Sequence, residues 1–90
     1  MSYSFRVQAP TKAEAEVKVR DELLKVVAQQ PDHKHDCDQA FNAAEAFIRL
    51  LTDDDSQDVA VTVSGSLSWN SAGNYTAAII NVSAVLWPRA

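Results

Sequence analysis

Glycine is nearly missing from this chain. Its only two glycines are Gly65 and Gly73. That excludes the Gly-x-Gly-x-x-Gly turn of dinucleotide-binding folds and the Gly-Lys-Ser/Thr loop that cradles phosphates. It also excludes the Gly-x-x-Gly clamp of KH domains, whose β-α-α-β order this sequence otherwise shares in part. Where that clamp would stand, the chain reads Gln29-Gln-Pro-Asp-His33. Cysteine is scarcer still. Cys37 is the one copy, so no internal disulfide can form and a reducing, cytoplasmic setting is expected. Positive charge is short as well: 8 Lys and Arg face 12 Asp and Glu, for a net charge of −4. A nucleic-acid binder needs a basic surface to displace counterions, so no nucleic-acid partner is expected. No apolar run approaches the roughly 20 residues of a membrane helix, and Met1-Ser-Tyr-Ser-Phe-Arg6 does not read as a signal peptide. No membrane partner is expected, and the sequons at Asn74 and Asn81 read as incidental.

What is present is organised around Asp58 to Trp87, which reads as one β-hairpin. Val59, Val61, Val63, Gly65, Leu67 and Trp69 alternate with Ala60, Thr62, Ser64, Ser66 and Ser68. A period of two marks a strand with one buried face. The return run, Thr76 to Trp87, is more apolar and alternates less cleanly. Pairing Trp69 with Thr76 leaves Ser71-Ala72-Gly73-Asn74 as the loop. It sets Val63 against Val82, Val61 against Ala84, Val59 against Leu86 and Gly65 against Ile80. The bare Gly65 then leaves room for Ile80 or a helix above it. A slip of one residue would bury Asn81 and Ser83, at about 1–3 kcal/mol for each unbonded group.

The first third predicts a strand and a helix. Tyr3, Phe5, Val7 and Ala9 alternate with Ser4, Arg6 and Gln8, and Pro10 ends the run. Thr11 with Glu14 forms a capping-box pattern, so helix one is expected from about Lys12 to Gln29 or Gln30. Its apolar stripe is Ala15, Val19, Leu23, Val26 and Val27. Pro31 breaks it. Helix two is expected from near Asp36 to Leu51, with Cys37, Ala40, Phe41, Ala44, Phe47, Ile48 and Leu51 on one apolar face. Asp36 and Asp38 suit the positive end of its dipole. The expected fold is a single α+β domain over 1–90, a two-layer β-α-α-β-β sandwich. Two antiparallel helices cover one face of a three-stranded sheet. The apolar character of strand three favours a central place for it, order 2-3-1; the all-antiparallel order 1-2-3 is nearly as well supported.

The stretches Ala9-Pro-Thr-Lys-Ala-Glu-Ala-Glu-Val-Lys-Val19 and Asp58-Val-Ala-Val-Thr-Val-Ser-Gly-Ser-Leu-Ser-Trp69 resemble small uncharacterised proteins of tailed phages and prophages. The similarity runs over most of the chain, includes no catalytic motif and assigns no residue roles. It implies a phage accessory or regulatory protein, working in the host cytoplasm.

His33-Lys-His35-Asp36-Cys37-Asp38 is the one cluster of metal-ligand residue types. A structural zinc site needs four ligands, normally brought from two places in the chain, and no second half exists here. Cys37 also falls on the apolar helix face, where a free thiol packs as a small hydrophobe. A Cys37–His nucleophile pair meets the same objection, since Asp36 and Asp38 oppose a thiolate and no oxyanion hole is evident. The acidic run Asp53-Asp-Asp55 lacks the alternating oxygen ligands of a calcium loop. The more informative surface is the sheet face turned away from the helices. There Tyr75, Ile79, Val85 and Trp87 stand beside Thr62, Ser64, Ser66 and Ser68. A contiguous apolar group on an open face points to an interface. The reading is a non-enzymatic protein-interaction module without cofactor. It would be a homodimer or the occluder of a host protein, either an inhibitor or a minor virion component. The alternative is a small metal-binding or enzymatic protein using His33, His35 and Cys37.

Overall fold

Thr11 opens the helical half of the molecule as its side chain predicts. The Glu14 amide donates to Thr11 Oγ1 at 3.2 Å, which satisfies one of the free N–H groups of a helix start. Thr11→Ala is expected to lower stability by about 0.5–2 kcal/mol, read from the midpoint of denaturant unfolding. The computed structural model describes residues 2–52, 54, 56–69, 72 and 75–89; the side chains of 67–69 and 75–78, and with them those of Trp69 and Tyr75, lie outside that description, as do Asp53 and Asp55.

The elements are β1 (Ser2–Ala9), α1 (Lys12–Gln29), a 3-10 turn (Pro31–His33), α2 (Lys34–Leu50), β2 (Gln57–Trp69) and β3 (Tyr75–Pro88). The order is β-α-α-β-β and the class α+β, with both helices packed on the sheet. α2 starts two residues earlier than the sequence predicts, because the 3-10 turn at Pro31 runs straight into it. Ala15, Val19 and Leu23 of α1 are buried; Val26 and Val27 are half-buried against the same core. On α2, Cys37, Ala40, Ala44 and Ile48 are buried. Phe47 departs from its expected place in that face and is 43% exposed.

The sheet is antiparallel throughout, in the order β1-β2-β3. The favoured central place for β3 is therefore corrected. The helix pair explains why. It returns the chain to the end of β1 where it began, and the Lys12 ammonium donates to the Leu51 carbonyl there. Only a short connector then precedes β2, so β2 falls directly beside β1, with Val59 opposite Ala9. Short connections favour neighbours in space. β3 has no position left but the outer edge.

Within the hairpin the expected register holds. Val63 faces Val82, Val61 faces Ala84, Val59 faces Leu86 and Gly65 faces Ile80. Near the loop it changes: a shift at Ser68/Trp69 sets Trp69 opposite Tyr75 rather than Thr76. β1 pairs only with residues 59–66 of β2, so the hairpin outruns it, and the molecule measures 51 × 20 × 20 Å. The core is built from small side chains. Ala9, Ala15, Ala40 and Ala44 are buried beside Val19, Val59, Val61 and Val63, and Ile48 is its largest fully buried member.

Candidate functional site

Two places concentrate unusual groups: a buried polar cluster beneath the helix corner, and the uncovered face of the sheet.

The buried cluster begins with Pro31, which sets the 3-10 turn and swings His33 inward. Asp36 lies one helical turn further along, so both side chains leave the same side of the backbone. His33 Nδ1 and Asp36 Oδ2 are 2.9 Å apart, with the residues 0% and 3% exposed. The His33 ring meets the ring of Tyr3 edge to face, centroids 5.0 Å apart at 88°. Tyr3 belongs to the inward series of β1, and its ring lies directly over Gly65. A Cβ on Gly65 would stand 2.6 Å from Cε1, Cζ and the hydroxyl of Tyr3. The space at Gly65 thus serves Tyr3, not Ile80 or a helix.

Two polar atoms in the cluster, the Tyr3 hydroxyl and His33 Nε2, are buried without a hydrogen-bond partner. The Tyr3 hydroxyl is near enough to Cys37 and Asp36 to feel both, yet it forms no bond of proper geometry to either. Burial pushes its pKa well above the ordinary tyrosine range, and those two neighbours add to the effect. Burial also pushes the Cys37 thiol up, and the Asp36 and Asp38 carboxylates reinforce that against the opposing pull of Tyr3 and Lys34. A thiol so placed is a poor nucleophile.

The structure does not bring His33, His35 and Cys37 together. His35 is exposed and its Nε2 lies 3.2 Å from Gln39 Nε2, while His33 and Cys37 are buried. Among the described residues no three His, Cys, Asp or Glu side chains converge as metal ligands. The sequence pattern leaves Asp36 as a helix-start carboxylate and His33 as a member of an incomplete ligand cluster. The available signal was their i, i+3 spacing straight after Pro31, with Tyr3 on the inward register of β1.

The open face is set by the other parity of each strand. β3 presents Ile79, Val85 and Trp87 in one row, 58%, 44% and 49% exposed. The Tyr75 backbone belongs to the same strand. Arg6 reaches from β1 to stack on Trp87, its guanidinium carbon 5.1 Å from the ring centroid. The two side chains meet across β2, which explains why Ala60, a small residue on this outer face, is buried. At the same end Asp58 accepts from Arg89 Nε at 2.8 Å and from Gln8 Nε2 at 2.9 Å. Those bonds, Arg89 first, hold the Asp58 pKa below the usual carboxylate range. Arg89 also donates to the Gln57 carbonyl at 3.2 Å, so Arg89 is tied to the start of β2. Toward the other end, Ser2, Ser4, Ser64, Ser66, Ile79 and Asn81 border a shallow hollow of about 430 Å³.

No protein-family model, curated protein or solved structure matches this chain. No helix among the described residues is long and apolar enough to cross a membrane.

Proposed function

We propose that the chain is a non-enzymatic protein-interaction module whose working surface is the open sheet face, and that a second copy occupies that face. The observation that carries this is the row Ile79, Val85 and Trp87, each close to half exposed or more on one strand. The helices lie on the opposite side and leave it uncovered. Large aromatic side chains with a fixed orientation supply most of the affinity at interfaces, and Arg6 fixes Trp87 here.

Charge favours a second copy. The net charge is −4, but the strand register puts only Asp58 among the acids on this face, and Asp58 is paired with Arg89. Stacking two such faces about a two-fold axis therefore buries no unpaired acid. A closed two-fold interface also uses one patch twice. The alanine- and valine-rich core gives a further reason, since a short chain gains proportionately from added buried surface. The non-catalytic reading is supported by where the reactive groups lie: His33, Asp36 and Cys37 are all buried.

Sedimentation velocity tests the reading. The unmodified protein is expected to sediment as a dimer. Val85→Ser with Trp87→Ser is expected to shift it toward monomer and to make its melting temperature less dependent on concentration. A monomer at high micromolar concentration, or a dimer indifferent to the double change, would overturn it.

A further inference from the structure

The two edges of the sheet are built differently. The β1 edge is guarded. Lys18 of α1 donates its ammonium to the Gln8 carbonyl at 2.8 Å. Asp21, Glu22 and Lys25 line the same flank together with Arg6. Charged side chains along an edge strand deter the addition of another strand. The β3 edge has no such guard. From Tyr75 to Pro88 the strand has no charged residue. Its pairing with β2 is unbroken from Pro88 back to Ala77, without a bulge to twist the edge away. In an antiparallel edge strand every second residue turns its N–H and C=O outward, unpaired.

The helix above that edge is apolar on the corresponding side. Arg49 of α2 reaches Glu16 of α1 at 3.5 Å, so the Arg49 flank faces α1. Phe47, two residues earlier and about 200° around the helix, is on the other flank. That flank lies toward β3, because α1 packs over β1 and α2 over β3. The layers also differ in width. Three strands about 4.8 Å apart make a sheet about 14 Å across, whereas two packed helices make a layer about 20 Å wide. The helical layer therefore overhangs the sheet. On the β1 side Lys18 spans the overhang; on the β3 side it is roofed by Phe47, 43% exposed.

We propose that the β3 edge is a site for β-strand addition, and that it takes an extended segment of another protein with apolar side chains at alternating positions on the side under α2. Main-chain bonds to the outward groups of β3 would supply affinity, and the space beneath Phe47 would select the alternate side chains. The occupant is a lone strand rather than the matching edge of a second copy. Full pairing of two β3 edges would bring two α2 helices to about 5 Å, and packed helices need about 8–10 Å. The inference is independent of the face-to-face pairing proposed above, because it uses the edge and the α2 flank.

The test uses a blocked synthetic peptide with the sequence of residues 79–87, which is uncharged and apolar at every second position. It is titrated into the full chain, with amide hydrogen exchange followed on β3. The expected result is saturable binding below about 1 mM, with new protection confined to alternate β3 amides. A peptide N-methylated at alternate residues should not bind. Phe47→Lys recreates the charged flank of α1 at an exposed position and should weaken binding at least about tenfold. Val85→Ser with Trp87→Ser separates this site from the open face: that variant should still bind the peptide. No binding by about 1 mM, binding without β3 protection, or an unaffected Phe47→Lys would overturn the proposal.

Discussion

Gly65→Val is expected to destabilise the protein by about 3 kcal/mol, the upper end of the usual overpacking range. The reason is the ring of Tyr3, whose Cε1, Cζ and hydroxyl would each lie 2.6 Å from the new Cβ. A flexible side chain could swing aside, but Tyr3 cannot do so freely. It meets His33 edge to face on one side and is packed against the core. Even Gly65→Ala meets the same atoms, so it too should be destabilising. Urea unfolding measures the loss. The check on its cause is a double-mutant cycle with Tyr3→Ala. In that background the valine should cost under about 1 kcal/mol, because the obstructing ring is gone. An equal penalty with and without Tyr3 would place the clash elsewhere, with Ile80 the next neighbour to test.

Asp36→Ala should be comparably severe, at about 3 kcal/mol. His33 is 0% exposed, and Asp36 is the one hydrogen-bond partner of its ring among the described residues. Removing the carboxylate leaves both ring nitrogens buried and unpaired. A buried polar group stripped of its partner costs about 1–3 kcal/mol, and a buried ion pair broken on one side about 3–5 kcal/mol. The site falls where these ranges meet. Replacing both partners by apolar groups should be milder than removing one. His33→Leu with Asp36→Leu is therefore expected to lie closer to the parent protein than Asp36→Ala does. If the double change is the worse of the two, the pair contributes more than mutual satisfaction, and a net attraction must be assigned to it.

The sheet edge links these stability arguments to function. In the sequence, the apolar character of β3 favours a central place, with order 1-2-3 nearly as well supported. The structure puts it at the edge. A strand composed like a central one but paired on one side only is what the proposed strand addition would complete. Phe47 fits the same pattern. Its helical spacing assigns it to the buried face of α2, yet it stands exposed on the flank over that edge.

How far the sequence reached follows from the kind of information each feature needs. The hairpin register was legible because a one-residue slip would have buried Asn81 and Ser83, and period-two alternation carries that choice within two short stretches. The start of α1 was legible for a similar reason: Thr11 and its partner Glu14 are three residues apart and bond locally. The open face followed from parity, since Ile79, Val85 and Trp87 share one side of one strand. Strand order could not be read this way. It depends on where the helix pair sets down the chain, and the contact that shows it, Lys12 to Leu51, joins residues far apart in sequence. The polar cluster needed three dimensions as well. His33 and Asp36 read as part of an incomplete ligand cluster until Tyr3, from the start of the chain, closes over His33 and Gly65. Ala60 is the mirror case: its own strand makes it an exposed position, and Arg6 and Trp87 meeting from the two neighbouring strands bury it. Periodicity decided which way each side chain points, because that is a property of the local backbone. Tertiary structure decided what each one meets, because that depends on which strands and helices become neighbours.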